Sequence, residues 1–246
     1  MTAADPRSLS GADIPGDYQY RALYQGHPIQ QAWHQAKLEL IKTVAFPSGE
    51  SIVLDAGCGS GVVANFLART CAKAVGVDLN RRAVEFARRT FSQENVEFVE
   101  SSLLDFHRDG FDLIYSFECI EHFHREEVVR LLRHLRRLIL PRGRLLVTTP
   151  NYRGAWPLIE LVLDLFRLTP KLHSCQHLSP ITPARLKRSL ISGGWSILEM
   201  GSFNGIAPFL APFSSSLTSL MQKWELRHRT RLHRNLLYAL CEAASE

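Results

Sequence analysis

The chain is expected to fold as an α/β protein with a doubly wound, mostly parallel seven-stranded sheet, an N-terminal helical layer and C-terminal helical insertions. Three observations predict this. Short apolar runs recur through the middle of the sequence, longer helix-period stretches separate them, and the last hundred or so residues leave that rhythm for apolar segments of a different kind. Strands that alternate with helices imply right-handed βαβ units and a sheet covered on both faces.

Taken in order, residues 1–17 are rich in small and polar residues with Pro6, Pro15 and Gly16, and read as a flexible leader; residues 18–246 read as one domain. Residues 18–44 carry Trp33, Leu38, Ile41 and Val44 near helical spacing and give the N-terminal layer, which "FPSGE" breaks. The strand candidates are 51–55, 73–77 ("KAVGV"), 96–99 ("VEFV"), 111–116 ("FDLIYS") and 143–149 ("GRLLVTT"), with helices over 61–70, 81–92 and 126–140 between them. Further on, "TPARLKRSLISGGW" has a proline in its first turn and glycines past its end, the expected punctuation of a helix. Residues 195–203 read as a strand and 235–243 as a second strand or a helix end, with a strand antiparallel to the first the favoured reading. Two lid-like insertions are expected, near 152–180 and 206–234.

At 246 residues the chain can bury a sizeable core. No run reaches the roughly 18 to 20 apolar residues of a membrane span, and the start lacks a basic region followed by an apolar one, so a cytoplasmic location is expected. Five cysteines without a C-x-x-C pair indicate neither a disulfide framework nor a zinc ribbon. A net charge of +5 suits an anionic substrate, a membrane surface or RNA without choosing among them.

The chemistry begins at "SIVLDAGCGSG". A strand that ends at Asp55 and turns through Gly57, Gly59 and Gly61 into a helix places a glycine-lined loop at the carboxyl edge of the sheet, where such folds bind ligands. The dinucleotide fingerprint G-x-G-x-x-G is not met, and no G-K-[ST] follows to hold a phosphate. Asp55 and Asp78 supply acid instead, and Asp78, with Leu79 beside it, closes the next strand where a carboxylate accepts from both hydroxyls of a ribose. An acidic edge around a glycine turn suits a cationic nucleoside, for which S-adenosylmethionine is the candidate; an acid-capped turn in another α/β protein is the alternative.

With "AVGVDLN", "FDLIYSFECIEH" and "RLLVTTPN" following in this order, residues 35–205 resemble the class I S-adenosylmethionine-dependent methyltransferases, which have a Rossmann-like fold. "SFECIEHF" followed by "TTPNYRG" is most similar to the O-methyltransferases of ubiquinone biosynthesis. The resemblance implies that Gly57 lies against the methionine moiety of the cofactor, that Asp78 holds its ribose, and that Phe117 covers it. It also implies a basic contact before the first strand, for which this chain has Lys37 where arginine is expected. Beside the adenine, Ser101, Ser102 and the backbone of Leu103 stand where many relatives have an acid.

Methyl transfer to oxygen needs alignment, a dry pocket and removal of a proton. Glu118, Glu121 and His122 follow the fourth strand; on a helix they would share one face, able to hold a divalent metal such as Mg or to pair an imidazole base with a carboxylate. The resemblance implies metal binding at these positions, with His177 as a distant further contact. A structural role, with the acid capping the next helix, is the other reading. His124 is expected in solvent, Cys119 to point away from the shared face, and Asn151 either to touch a ligand or to form a turn.

The insertions, apolar in "WPLIELVLDLF" and with Leu210, Phe213, Leu217, Leu220 and Trp224 joined to a basic tail, suggest a lipophilic acceptor and peripheral contact with a membrane, against simple packing on the domain edge. The expected activity is therefore methylation of a small lipophilic, phenol- or quinone-like acceptor at oxygen. The alternative is a methyltransferase or non-catalytic nucleoside-binding module directed at RNA or protein. "RHRTRLHR" has arginines without interleaved aromatics, which disfavours nucleic acid.

Overall fold

The computed structural model describes residues 14–165 and 177–243. The helical layer opens the chain as α1 (Tyr18–Tyr24) and α2 (Pro28–Val44). Its interruption is local chemistry: Pro28 sits in the first turn of α2, and His27 caps that turn in a reciprocal capping box with Gln30.

The alternating region follows as β1 (Ile52–Ala56), α3 (Val62–Ala68), β2 (Lys73–Asp78), α4 (Arg81–Thr90), β3 (Val96–Glu100), β4 (Phe111–Phe117), α5 (Arg125–Leu138) and β5 (Ile139–Pro150). Then come α6 (Trp156–Leu165), α7 (Pro183–Ser192), β6 (Trp195–Phe203), α8 (Ala207–Leu210), α9 (Ser215–Arg227) and β7 (Leu236–Ala243). The sheet has seven strands in the order β3-β2-β1-β4-β5-β7-β6. Neighbours from β3 to β5 pair parallel, and β7 runs antiparallel between β5 and β6, as the sequence leads one to expect.

Alternation along the strands sorts the core into two layers. Leu54, Ile114, Leu145, Leu237 and Ala239 face the cluster beneath α5 and α7, whereas Val53, Tyr115, Leu146, Tyr238 and Leu240 face α2 and α3. Apolar side chains on both faces explain why these strands read as unbroken hydrophobic runs. The expected helix over 126–140 ends sooner, at Leu138. Ile139 already pairs with Phe111, so α5 runs directly into a β5 longer than the glycine at 143 suggests.

The first part of the expected leader, residues 1–13, lies outside the described residues, as does 166–176 within the first insertion. Residues 14–17 are described and lie on the start of α4: the Asn80 side-chain amide donates to the Ile14 carbonyl at 3.1 Å. No helix among the described residues is long and apolar enough to cross a membrane.

Candidate functional site

β1 and β2 end at the same edge of the sheet, where the glycine turn leads from β1 into α3. Gly57, Gly59 and Gly61 adopt φ of +83°, +49° and +80°, a region that side chains strain to enter. The N–H groups of Gly57 and Cys58 donate to the Val77 carbonyl, so the turn is pinned to β2. The third glycine also serves packing, because a Cβ at Gly61 would stand 2.6 Å from the Phe98 ring and 2.8 Å from Ala87.

Two carboxylates hold this turn. Asp55 is buried and accepts from the Ala64 N–H at 2.9 Å, fastening the first turn of α3. Burial pushes its carboxyl up to about 7, against the lowering effect of that hydrogen bond. Asp78 accepts from the Gly59 N–H at 2.7 Å and from the Asn80 N–H at 2.8 Å, one oxygen each, and its carboxyl too is raised by burial. Asp55 therefore faces inward, whereas Asp78 bridges the glycine turn and the start of α4, with half-exposed Leu79 beside it.

The Ser101 N–H donates to the Asp78 carbonyl, which brings the turn after β3 to the same edge. Ser102 Oγ accepts from the Leu104 N–H at 3.3 Å, and the Leu103 side chain is buried in the core. Phe117 is buried among the residues facing α2, its ring parallel to that of Tyr115, so its backbone is what reaches the edge.

Glu118 and Lys37 meet across the site. Lys37, 5% exposed, donates from Nζ to Glu118 Oε2 at 2.6 Å, with His34 Nδ1 a further 3.5 Å neighbour. Burial and the Lys37 charge hold the His34 imidazole well below its ordinary range, so it stays neutral beside the ammonium. Glu118 Oε1 is buried with no hydrogen-bond partner among the described residues.

The expected common face of Glu118, Glu121 and His122 does not form. Glu118 adopts φ +48°, and its N–H donates back to the Thr148 carbonyl; helical backbone begins only at the single 3-10 turn Ile120–His122. Glu118 is thereby turned toward Lys37, and its place beside Glu121 and His122 is taken by His177. One ligand atom from each of Glu121, His122 and His177 lies within 4.8 Å of the others.

Glu121 is fully buried, with Oε2 accepting from Thr149 Oγ1 at 3.0 Å and Oε1 unpartnered among the described residues. Burial pushes its carboxyl up to about 7, offset in part by His177. Its carbonyl accepts from the N–H groups of Leu178 and Ser179, which is how His177 reaches the site from a distant part of the chain. The rings of His122 and His177 are 5.5 Å apart.

The remaining expectations divide. His124 is exposed and caps α5 with Glu127. Cys119 is buried with its sulfur toward Gly57, and burial pushes its thiol well up, which makes it a poor nucleophile. Asn151 is a turn former: its amide donates to the Leu232 and Arg234 carbonyls, and its oxygen accepts from the Arg153 N–H.

Three features at the site escape the sequence reading. Gln19 lies against Gly59 and the Tyr20 N–H donates to Ser60 Oγ at 2.9 Å, so α1 is laid over the glycine turn; the tyrosines of "DYQYRALY" were its faint signal. Glu160 and Tyr152 both contact His177, and the one signal was an isolated acid in the apolar run "WPLIELVL".

Known proteins that resemble the chain include methyltransferases. Residues 53–143 match the family model described as a methyltransferase domain. The chain is 26% identical over 199 residues to a ubiquinone biosynthesis O-methyltransferase of Aeromonas salmonicida, covering 76% of this chain and 77% of that one. It is 29% identical over 154 residues to a protein of the same name from Coxiella burnetii, covering 60% and 64%. The magnesium protoporphyrin IX methyltransferase of Synechocystis, solved with bound SAH, has the same fold, with a TM-score of 0.62 at 19% identity over 93% of this chain and 94% of that one. The matched domain and the named relatives are methyltransferases, and the fold is shared with one solved with bound SAH, so the chain is similar to the S-adenosylmethionine-dependent methyltransferases.

Proposed function

We propose that the enzyme methylates a small lipophilic, phenol- or quinone-like acceptor at oxygen, with Glu121, His122 and His177 as the groups that meet the acceptor. The observation carrying this is their convergence at the end of β4, where Cys119 packs on Gly57 and so joins them to the glycine turn. The names of the Aeromonas and Coxiella relatives favour oxygen and a quinone-like ring.

The methyl donor fits the residues at the turn. Three glycines with positive φ leave the backbone open to close approach, and Asp78, charged, has lone pairs left for ribose hydroxyls. Lys37 and Glu118 suit the carboxylate and ammonium of an amino acid moiety, exchanging their mutual ion pair for one bond each; the unpartnered Glu118 Oε1 is consistent with a missing donor. Ser102 stands on the adenine side. The donor brings an electrophilic methyl on a positive sulfur; the protein aligns the acceptor, keeps water out and takes the proton that the acceptor oxygen loses on forming its bond to carbon.

A second reading adds a divalent metal at the same three residues, favoured by the unpartnered Oε1 of Glu121. A carboxylate and two imidazoles would hold it, and it would lower the acidity barrier of a bound hydroxyl. Glu118, paired with Lys37, is not needed for it.

The exposed apolar residues fit access to a lipophilic acceptor. Leu158, Leu161 and Leu165 project from α6, and Leu217, Leu220 and Trp224 from α9, beside Lys223 and Arg227. The buried side of α9 is polar instead, with Gln222 donating to the Ala32 carbonyl and Glu225 accepting from three N–H groups at the start of α8. Such an inverted helix suits peripheral contact with an anionic bilayer, which flotation with anionic against neutral vesicles tests.

Turnover with labelled methyl donor, screened over catechols, quinols, amines, carboxylates and RNA, decides the acceptor. Methylation confined to phenolic oxygens is expected. Labelling of RNA or of nitrogen alone overturns the proposal, and turnover unaffected by chelation and metal replacement removes the metal.

A further inference from the structure

One buried acid beside the reaction centre belongs to neither the turn nor β4. Glu160, on α6, is 2% exposed, and His177 is 7% exposed. His177 Nδ1 lies 2.8 Å from Glu160 Oε1, and the Tyr152 hydroxyl donates to both Glu160 oxygens at 2.9 and 3.0 Å. Trp156, one helical turn before Glu160, packs on the His177 ring at 5.8 Å and on Trp33 at 5.6 Å.

A carboxylate withdrawn from water persists where donors satisfy it. The Tyr152 hydroxyl, which also lies 3.0 Å from His177 Nδ1, donates to the carboxylate, and an imidazole Nδ1–H facing Glu160 Oε1 donates as well, because an unprotonated Nδ1 at 2.8 Å would set a lone pair against an oxygen anion. A neutral imidazole carries one N–H. With that proton committed to Glu160, the lone pair is on Nε2, the ring atom left for Glu121 and His122.

We propose that Glu160 and Tyr152 are positioning residues that hold His177 in the Nδ1–H form and present its Nε2 lone pair to the reaction centre. The carboxylate-oriented imidazole is then His177, not His122, and the acid that orients it comes from the first insertion, not from the Glu118–His122 segment. This builds on the reading of Glu121, His122 and His177 as the chemical centre. The geometry serves a proton acceptor and a metal ligand alike, since both need an unprotonated ring nitrogen with the other one fixed.

The test uses the full-length protein labelled with 15N-histidine. The His177 signals are identified by their loss in His177→Gln, and the pattern expected in the wild type is protonated Nδ1 with unprotonated Nε2. Glu160→Gln is expected to let the other tautomer appear and to lower kcat about 10- to 100-fold, as removing an outer partner of a histidine does. The KM for the methyl donor should stay within about twofold. Glu160→Asp is expected to restore part of kcat and of the Nδ1–H signal, and Tyr152→Phe to lower kcat less than Glu160→Gln does.

If Glu160→Gln remains folded by circular dichroism and keeps both tautomer and kcat, the proposal is wrong. It is equally wrong if Glu160→Asp, refolded to the wild-type melting temperature, is no more active than Glu160→Gln. A wild-type protein with the expected tautomer, lost in Glu160→Gln, but no phenolic turnover upholds the positioning and refutes the acceptor assignment instead.

Discussion

The two halves of the proposed site, one for the nucleoside and one for the acceptor, are built differently. The nucleoside half is the work of one contiguous βαβ unit: Asp55, the three glycines and Asp78 lie within 24 residues, and backbone N–H groups fasten them locally, Gly57 to the Val77 carbonyl, Gly59 to the Asp78 carboxylate, Gly61 to the Cys58 carbonyl and Ala64 to the Asp55 carboxylate. The acceptor half draws Glu121 from the turn after β4, Tyr152 from the end of β5, Glu160 from α6 and His177 from the segment that precedes α7. A contiguous unit carries its geometry in local spacing, whereas an assembled one gets its geometry from packing.

The strongest way to break this comparison is Asp78→Ala. It removes the acceptor of two N–H groups and the charge that would hold a ribose, and charge-assisted hydrogen bonds contribute about 1.5 to 3 kcal/mol each. Affinity for S-adenosylmethionine, measured by calorimetry, is expected to fall at least about 100-fold. Unchanged affinity in a folded variant would mean that the nucleoside half lies elsewhere.

A smaller effect probes the seam between the halves. Alanine at Gly57 would take φ +83° and put its Cβ 2.6 Å from the Cys119 sulfur. The backbone strain costs about 1 to 2 kcal/mol and overpacking about as much again, so Gly57→Ala is expected to destabilise by about 3 kcal/mol in denaturant unfolding. In a Cys119→Ala background the sulfur contact disappears, leaving the strain and a 3.0 Å contact with the Cβ at position 119. The cycle should therefore return a coupling of about 1 to 2 kcal/mol. Additive effects would mean that the two segments do not meet.

This contrast also sets what could be read from the chain. The strand positions and the helical layer follow from periodicity, because Val53 and Leu54, or Tyr115 and Ile114, need opposite faces of one sheet. Asp78 is legible because a strand end fixes its place. Glu118 was misplaced because helical spacing was assumed where the chain makes a positive-φ corner: three residues of separation say nothing about direction until the backbone is known. Glu160 was legible only as an anomaly, an acid in an apolar helix, and its partner His177 stands 17 positions away with no periodic relation to it.

A titration sharpens the difference further. Burial raises Asp55 to about 7, so between roughly pH 4 and 7 the native protein keeps a proton that the unfolded chain has lost. Unfolding then releases a proton, and stability falls as pH rises through that window, at up to about 1.4 kcal/mol per pH unit, before levelling off above it. Below pH 4 both states are protonated and the effect vanishes. Glu121 acts in the same direction, so the wild type alone does not isolate Asp55. Asp55→Asn, which keeps an acceptor for the Ala64 N–H, should lose about 2 kcal/mol of the stability difference between pH 5 and pH 8 in denaturant unfolding. An unaltered difference would mean that Asp55 is ionised in the native state throughout.

The smallest effect is expected where the nucleoside half is least tightly built. Ser102 Oγ receives one 3.3 Å bond from the Leu104 N–H, and its carbonyl is occupied by Ser101 Oγ and the Asp105 N–H. A bond of that length in a partly exposed turn contributes about 0.5 kcal/mol, and adenine can be held by backbone groups as readily as by a hydroxyl. Ser102→Ala should therefore leave S-adenosylmethionine affinity within about threefold and stability within about 1 kcal/mol, by calorimetry and denaturant unfolding. A loss of tenfold or more in affinity would make the hydroxyl a direct adenine contact. The turn after β3 would then join Asp78 as a second fixed point of the nucleoside half.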